Sequence, residues 1–386
     1  MLVLVVLMIL PADLHPQPVA EQEIRLADKY YSLQLAYQCG KVFGTNAFLR
    51  GINAAGVPVD RYQVLSVRLA CQTTGTKVWE QLYRYPRYGI GMLLADFRSK
   101  ELGRPVSVFG FLAGPVFRIR HFSLTYDFAM GVSFPWNPYD PLTNPYNVAT
   151  STTVNSMIEA GIAAEARLLP RINAGIEFGF NHFSNGAVAL PNKGVNCAFL
   201  KYSLRYDLYS RDPVKTTNPV KKIKPFNEWI IAFYTGFNRS AVPVRTNAVQ
   251  KLDREPVFAF GIFGIYNRQL NHKSKIGAGI EFGYIGLVNP QYRNYAHGLE
   301  VNRKPDIRRL ELSIFPSYEL AFNHFSIFAQ AGFYLYRDEL IRLSPVFYQR
   351  AGFKYHFMDH YFAALQVRAY KFMIALFTEC TLGYRF

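Results

Sequence analysis

Hydrophobic and polar residues alternate with a period of two along most of this chain. The stretch from Ile172 to Ser184 is typical. Ile172, Ala174, Ile176, Phe178, Phe180, His182 and Ser184 fall on one side, and Asn173, Gly175, Glu177, Gly179, Asn181 and Phe183 on the other. Successive side chains of a strand point to opposite faces, so this period predicts strands with one apolar and one polar face. About sixteen such segments run between residue 30 and residue 386. After the first dozen residues no apolar run approaches the ~18–20 residues a membrane-spanning helix needs.

The connections alternate between long and short. With the N-terminus on the inner side, the outward loops are 40–59, 98–105, 133–154, 185–195, 239–255, 288–307 and 337–344, plus a tight one near Lys371. Inward turns near Ile119, Leu169-Pro170, Asn323 and Met358-Asp359 are very short, whereas 72–86 and 208–225 are longer exceptions. Long loops outside and short turns inside are the habit of outer-membrane barrels. The pattern predicts an all-β fold, a transmembrane antiparallel β-barrel of about sixteen strands, against a soluble β-sandwich or propeller as the alternative. Two halves are visible: YYSLQLAYQCG and RYGIGMLLADF in the first correspond to EWIIAFYTGF and KIGAGIEFGYIG in the second. Residues 29–207 would form the first half and 226–386 the second, joined by the basic, proline-bearing 208–225 as a linker or inward turn. A single barrel is expected, because two fused membrane barrels would be unusual. Two eight-stranded halves are the alternative.

Composition fits a barrel wall. Aromatic residues reach 16%, with 26 Tyr and 32 Phe against 3 Trp, while charged residues are only 18%. Leu2–Leu10 is an apolar run of signal-peptide length, and 1–20 is read as a signal peptide despite lacking a charged leader. Cys39, Cys71, Cys197 and Cys380 are scattered singly, with no metal-ligand spacing and no disulfide framework. The net charge of +16 would suit a nucleic-acid ligand, but no basic helix or aromatic-basic motif supports one and none is expected. Instead Arg98, Lys100, Arg104, Lys251, Arg254, Arg293, Arg303, Lys304, Arg308 and Arg309 lie in or beside the loops. A surface of phosphorylated lipid would attract them, and a merely solvated loop face explains them equally.

The segment FNHFSNGAVALPNKGVN, residues 180–196, carries the candidate chemistry. His182 and Ser184 end the apolar face of their strand, where a core or a lipid phase would lie. A serine needs a neighbouring base to take its proton during attack on an ester, so the pair suggests a nucleophile and base acting on a lipid. A strand-end pair at a membrane interface is the plain alternative. The same five residues, FNHFS, recur at 322–326. There His324 and Ser326 fall at an inward turn followed by Ile327-Phe328 with no loop, so that copy is read as a hairpin.

At 180–196 the chain resembles the lipid A 3-O-deacylase family, with acyloxyacyl-hydrolase-like sequences also similar over Trp136–Asn147. The matching pattern is an aromatic, His182, an aromatic, Ser184, Asn185, then Pro191-Asn192, Gly194 and a polar residue at 196. The resemblance covers 29–207, is strongest over about 170–207, and does not extend to the second half. It implies an outer-membrane barrel that removes an ester-linked acyl chain from lipid A in the outer leaflet. Ser184 would be the nucleophile and His182 the general base, with Asn185, Gly186 and Asn192 as oxyanion or substrate contacts. For Asn185-Gly186 and Asn192, ordinary turn chemistry is the competing reading. The family's third catalytic residue is a glutamate, where this chain has Asn196. If Ser184 pairs near Asn196, His182 lies diagonally opposite it, within side-chain reach. An amide oxygen orients the ring without supplying a charge. Glu159, Glu165 and Glu177 fall on the inward face and offer no replacement. No cofactor or metal is implied. The other functional class is a non-catalytic barrel, a pore or structural protein, with inward Lys201, Arg205, Gln366 and Arg368 either lining a channel or plugging it.

Overall fold

The computed structural model describes residues 30–209, 213, 215–217, 219–246, 249–285, 309–337, 346–370 and 374–386. The expected signal peptide, 1–20, lies outside them, as do most of the loops at 288–307 and 337–344. Sixteen antiparallel strands form two compact units, each a closed eight-strand barrel.

The first barrel comprises β1 (Tyr30–Val42), β2 (Arg61–Gln72), β3 (Arg87–Asp96), β4 (Val106–Ile119), β5 (Phe122–Phe134), β6 (Asn155–Leu169), β7 (Ile172–Ser184) and β8 (Val195–Asp207). It closes because β8 returns to β1, from Ser32 opposite Asp207 to Val42 opposite Cys197. The second comprises β9 (Phe226–Thr246), β10 (Val249–Gln269), β11 (Ser274–Ile285), β12 (Leu310–Phe322), β13 (Phe325–Arg337), β14 (Phe347–Phe357), β15 (Tyr361–Tyr370) and β16 (Ile374–Arg385). There β16 pairs with β9, from Ile230 opposite Arg385 to Phe237 opposite Thr378.

The expectation of one sixteen-strand barrel is therefore corrected to two barrels of eight. Both arrangements need the same alternating strands; they differ only in whether β8 bonds to β1 or to β9. Eight strands enclose a space that side chains can fill, and the inward residues of this chain are large enough to fill it. In the first barrel Arg68 bridges Asp127 at 2.5 Å and Glu159 at 2.6 Å, while Lys201 reaches Glu159 at 2.6 Å and Glu177 at 3.0 Å. In the second, Arg350 and Arg368 both pair with Glu281 and Glu379. Gln366 also donates to Glu379. Such buried ions persist because each is paired. They plug the barrels, which is the plugged alternative to a channel. Asp127, Glu159 and Glu177 also bring carboxylate oxygens within 4.8 Å of one another, and the positive charge among them comes from Arg68 and Lys201.

Large apolar side chains stand on the outer walls: Leu65, Val67 and Leu69 on β2, Ile176, Phe178 and Phe180 on β7, Trp229, Ile231 and Phe233 on β9. A polar filling inside an apolar wall inverts the soluble sandwich or propeller, and belts this extensive far exceed the patches of soluble monomers. Among the described residues no helix is long and apolar enough to cross a membrane. The connection 72–86 holds the five-residue helix α1 (Val78–Leu82).

Candidate active site

At one end of the first barrel the loops fold into an ordered layer. Phe97, Trp136 and Phe183 pack together with ring centroids 5.3–5.7 Å apart, Trp136 being buried with its Nε1 donating to Ser133 Oγ at 2.9 Å. Asn147 is fully buried in the 133–154 loop. Its Nδ2 donates to the Asn137 and Glu101 carbonyls at 2.7 and 3.1 Å, and its Oδ1 accepts from the Ala149 N–H at 3.1 Å. The asparagines of this segment thus do the work of a missing strand, satisfying loop backbone that would otherwise be stranded.

That layer grips the end of the β7–β8 hairpin. Lys193 N–H donates to the Val148 carbonyl at 3.0 Å and Gly194 N–H to Ala149 at 2.9 Å. Asn46 Nδ2 donates to the Gly194 carbonyl at 3.5 Å. Gly194 has φ +68°, and a Cβ there would meet the Phe183 carbonyl at 3.1 Å, His182 Cε1 at 3.2 Å and Ser184 Cβ at 3.7 Å. His182 and Ser184 thus both press against one point of the loop backbone, a contact that only glycine allows at this φ without strain.

The alternation predicted for β7 holds. Asn173, Glu177, Asn181 and Phe183 are buried inside, Phe178 and Phe180 are exposed outside, and His182 and Ser184 continue the outer face. His182 is half-buried and Ser184 buried, at 6% exposure. The register differs from the diagonal expected: Asn196 lies directly opposite His182, not opposite Ser184. The shorter separation lets His182 Nδ1 and Asn196 Oδ1 meet at 2.7 Å. An amide oxygen only accepts, so Nδ1 carries the proton and Nε2 keeps the lone pair, the tautomer a general base needs. The backbone of Asn196 is held too, its carbonyl accepting from Phe43 N–H at 2.8 Å. Phe43 and Phe180 stack at 6.3 Å on the same side. Ser184 is fixed at its own backbone, where Ser156 Oγ donates to its carbonyl at 2.6 Å. The structure therefore brings His182, Ser184 and Asn196 together. It adds Gly194, Asn46, Ser156 and Phe43, which strand periodicity alone does not single out.

Asn185 is buried immediately after Ser184. The chain then turns at Gly186 and Ala187, whose φ angles are +67° and +61°, so the Asn-Gly pair does serve as turn chemistry. Asn192 is half-buried farther along the loop. Glu159, Glu165 and Glu177 line the interior, engaged with Lys201, Arg68 and Arg87, as alternation requires.

The repeated FNHFS motif is a hairpin, as read: Asn323, at φ +57°, turns β12 into β13. His324 is exposed while Ser326 is buried inside the barrel. Ser326 Oγ instead meets His356 Nε2 at 3.3 Å, and the same nitrogen meets Glu319 Oε1 at 3.2 Å. A relay uses the two ring nitrogens separately, so this grouping does not form one.

The fold and site together define a protein of two closed, plugged barrels, the first with a histidine and a serine on its outer wall at one strand end. The chain belongs to the lipid A 3-O-deacylase (PagL) family: residues 65–205 match that family, and residues 227–386 match the C-terminal domain of acyloxyacyl hydrolase. The family relationship thus extends to the second half, beyond the 29–207 expected from the motif. No curated protein matches the chain. Among solved structures, the ferric enterobactin receptor of Pseudomonas aeruginosa is similar at 10% identity over 88% of this chain and 53% of that one, with a TM-score of 0.24. The chain thus spans about half the receptor's length. A Rhodopseudomonas blastica porin shares 9% identity over 92% of this chain and 98% of the porin, with a TM-score of 0.17. At such scores neither bears on the arrangement of the strands.

Proposed function

We propose that this protein is an outer-membrane serine esterase that releases an ester-linked acyl chain from lipid A or a similar acylated glycolipid. Membership in a family of lipid A deacylases supports this substrate class. The observation that carries the mechanism is the 2.7 Å contact of His182 Nδ1 with Asn196 Oδ1 on the outer face, beside Ser184. With Nδ1 committed to Asn196, Nε2 accepts the Ser184 proton as Oγ attacks the ester carbonyl. The same nitrogen returns the proton to the leaving sugar oxygen. Water then attacks the acyl-serine by the reverse sequence and frees the fatty acid. Asn185, Gly186 and Asn192 are the candidates for holding the oxyanion, a contact typically worth about 2.7–4 kcal/mol per donor. Phe178, Phe180 and Phe43 offer an apolar surface along which an acyl chain can lie while its ester reaches Ser184. The channel reading is opposed by the ion pairs that fill both barrels.

The test is acyl release from purified lipid A in detergent. Ser184→Ala is expected to lose activity by several orders of magnitude and to keep the heat-modifiable migration of a folded barrel. Ser326→Ala, which alters the buried copy in the second barrel, is expected to change nothing. Undiminished release by Ser184→Ala would refute the assignment.

A further inference from the structure

The opposite end of the first barrel holds a second polar site that the esterase reading does not use. Asn173, at the start of β7, lines it, while His182 lies nine residues farther along the same strand, roughly 30 Å away at about 3.3 Å per residue. A cavity of about 250 Å³ opens there, between the β4–β5 turn, the first residues of β7 and the last of β8. Among the described residues its lining is strongly basic: Arg87, Arg118, Arg120, Arg167, Arg205 and Lys215 against two carboxylates, Glu165 and Asp207, an excess of four positive charges.

The cations play two parts. Arg87 bridges Glu165 at 2.5 Å, and Arg205 lies 3.7 Å from the same carboxylate and 3.4 Å from Asp207. These pairs fix the floor. The Arg205 side chain is only 11% exposed, and its Nε lies 3.4 Å from Asp207 Oδ1, too loosely placed for a hydrogen bond. A guanidinium carries five N–H donors, so one held this loosely at a cavity wall can also donate to a ligand. At the rim, Arg118 and Arg120 are exposed and have no carboxylate partner among the described residues. Like charges gathered this closely repel one another, and a bound anion relieves that repulsion.

We propose that this cavity binds a compact polyanion carrying two phosphate groups, as a pyrophosphate or a bisphosphate does. A phosphate monoester carries about −1.5 to −2 charge at neutral pH, so two of them match the excess of four. Arginine forks suit phosphate oxygens bidentately, and the volume admits a pyrophosphate or a small sugar phosphate but not a folded polymer.

The experiment is calorimetric titration of the whole protein in detergent with sodium pyrophosphate. The expected result is saturable one-site binding that weakens as salt is raised. Arg118→Ala/Arg120→Ala, which changes exposed side chains and spares the buried pairs, is expected to weaken it at least tenfold. Arg205→Met is expected to do the same, with heat-modifiable migration as its folding control. Arg268→Ala, an exposed arginine of the second barrel, is expected to have no effect. Repeating the titration in nanodiscs of phosphatidylglycerol and of phosphatidylcholine separates the phosphate sources. Weaker pyrophosphate binding only in the anionic lipid identifies a lipid headgroup as the occupant, and equal binding in both identifies a soluble phosphate. Absence of binding at moderate salt, or binding unchanged in Arg118→Ala/Arg120→Ala, would overturn the proposal and leave the Ser184 assignment untouched.

Discussion

Replacing Asn196 by leucine removes the acceptor of the His182 ring while keeping a side chain of similar size on the same face of β8. The 2.7 Å contact is the one orienting bond that the imidazole makes on its Nδ1 side. A hydrogen bond of this kind contributes about 0.5–1.5 kcal/mol net, and a donor left without its partner costs about 1–3 kcal/mol. If that loss falls on the transition state, where the ring must hold one tautomer, kcat falls roughly 5- to 150-fold. KM changes little, because Asn196 points at the base and not at the ester. The complementary change is Asn196→Asp, which keeps the reach and adds the charge that the family's glutamate supplies. Bonds to charged groups are worth about 1.5–3 kcal/mol, so the imidazolium formed during attack gains about 1–1.5 kcal/mol, roughly tenfold in rate. Directly opposed positions favour aspartate over the longer glutamate as the cleaner comparison. Initial rates of fatty-acid release from lipid A micelles, fitted for kcat and KM, give the readout. An Asn196→Leu enzyme as fast as the unaltered protein would refute the reasoning, since the bond that orders the tautomer would then be dispensable.

Gly194→Ala is expected to lower activity more than stability: its Cβ would press on His182 and the Phe183 carbonyl at a φ of +68°, costing about 1–2 kcal/mol. Acyl release compared with the urea midpoint of the same protein checks this. Lys201→Met leaves Glu177 without its buried ion-pair partner and Glu159 with Arg68 alone, and should destabilise the first barrel by about 3–5 kcal/mol, read as a lower unfolding midpoint in urea. Lys193 is exposed on the loop beside the site, so a cysteine placed there should be labelled by a membrane-impermeant reagent on intact cells. Labelling only after lysis would reverse the topology and remove lipid A from reach.

The chain's alternating pattern was enough to predict about sixteen antiparallel strands with one apolar face, because a period of two survives in any register and any closure. It also placed His182 and Ser184 on the outer face and Glu159, Glu165 and Glu177 inside, since face follows from parity alone. The FNHFS copy at 322–326 was legible as a turn for the same reason: local residues set it. Three matters needed the tertiary structure. Whether β8 closes on β1 or continues into β9 is a pairing between segments over a hundred residues apart, and the same faces satisfy either choice. The placement of Asn196 opposite His182 rests on how a ten-residue loop ends the β7–β8 hairpin, which fixes the register two residues away from the expected one and so keeps the faces. Gly194 stood in the motif, but its contact with His182 and Ser184 did not, and the roles of Asn46 and Asn147 were invisible because their side chains bond to the backbone of loops distant in sequence. Sequence determines what each strand can face; only the closed barrel decides which residues meet.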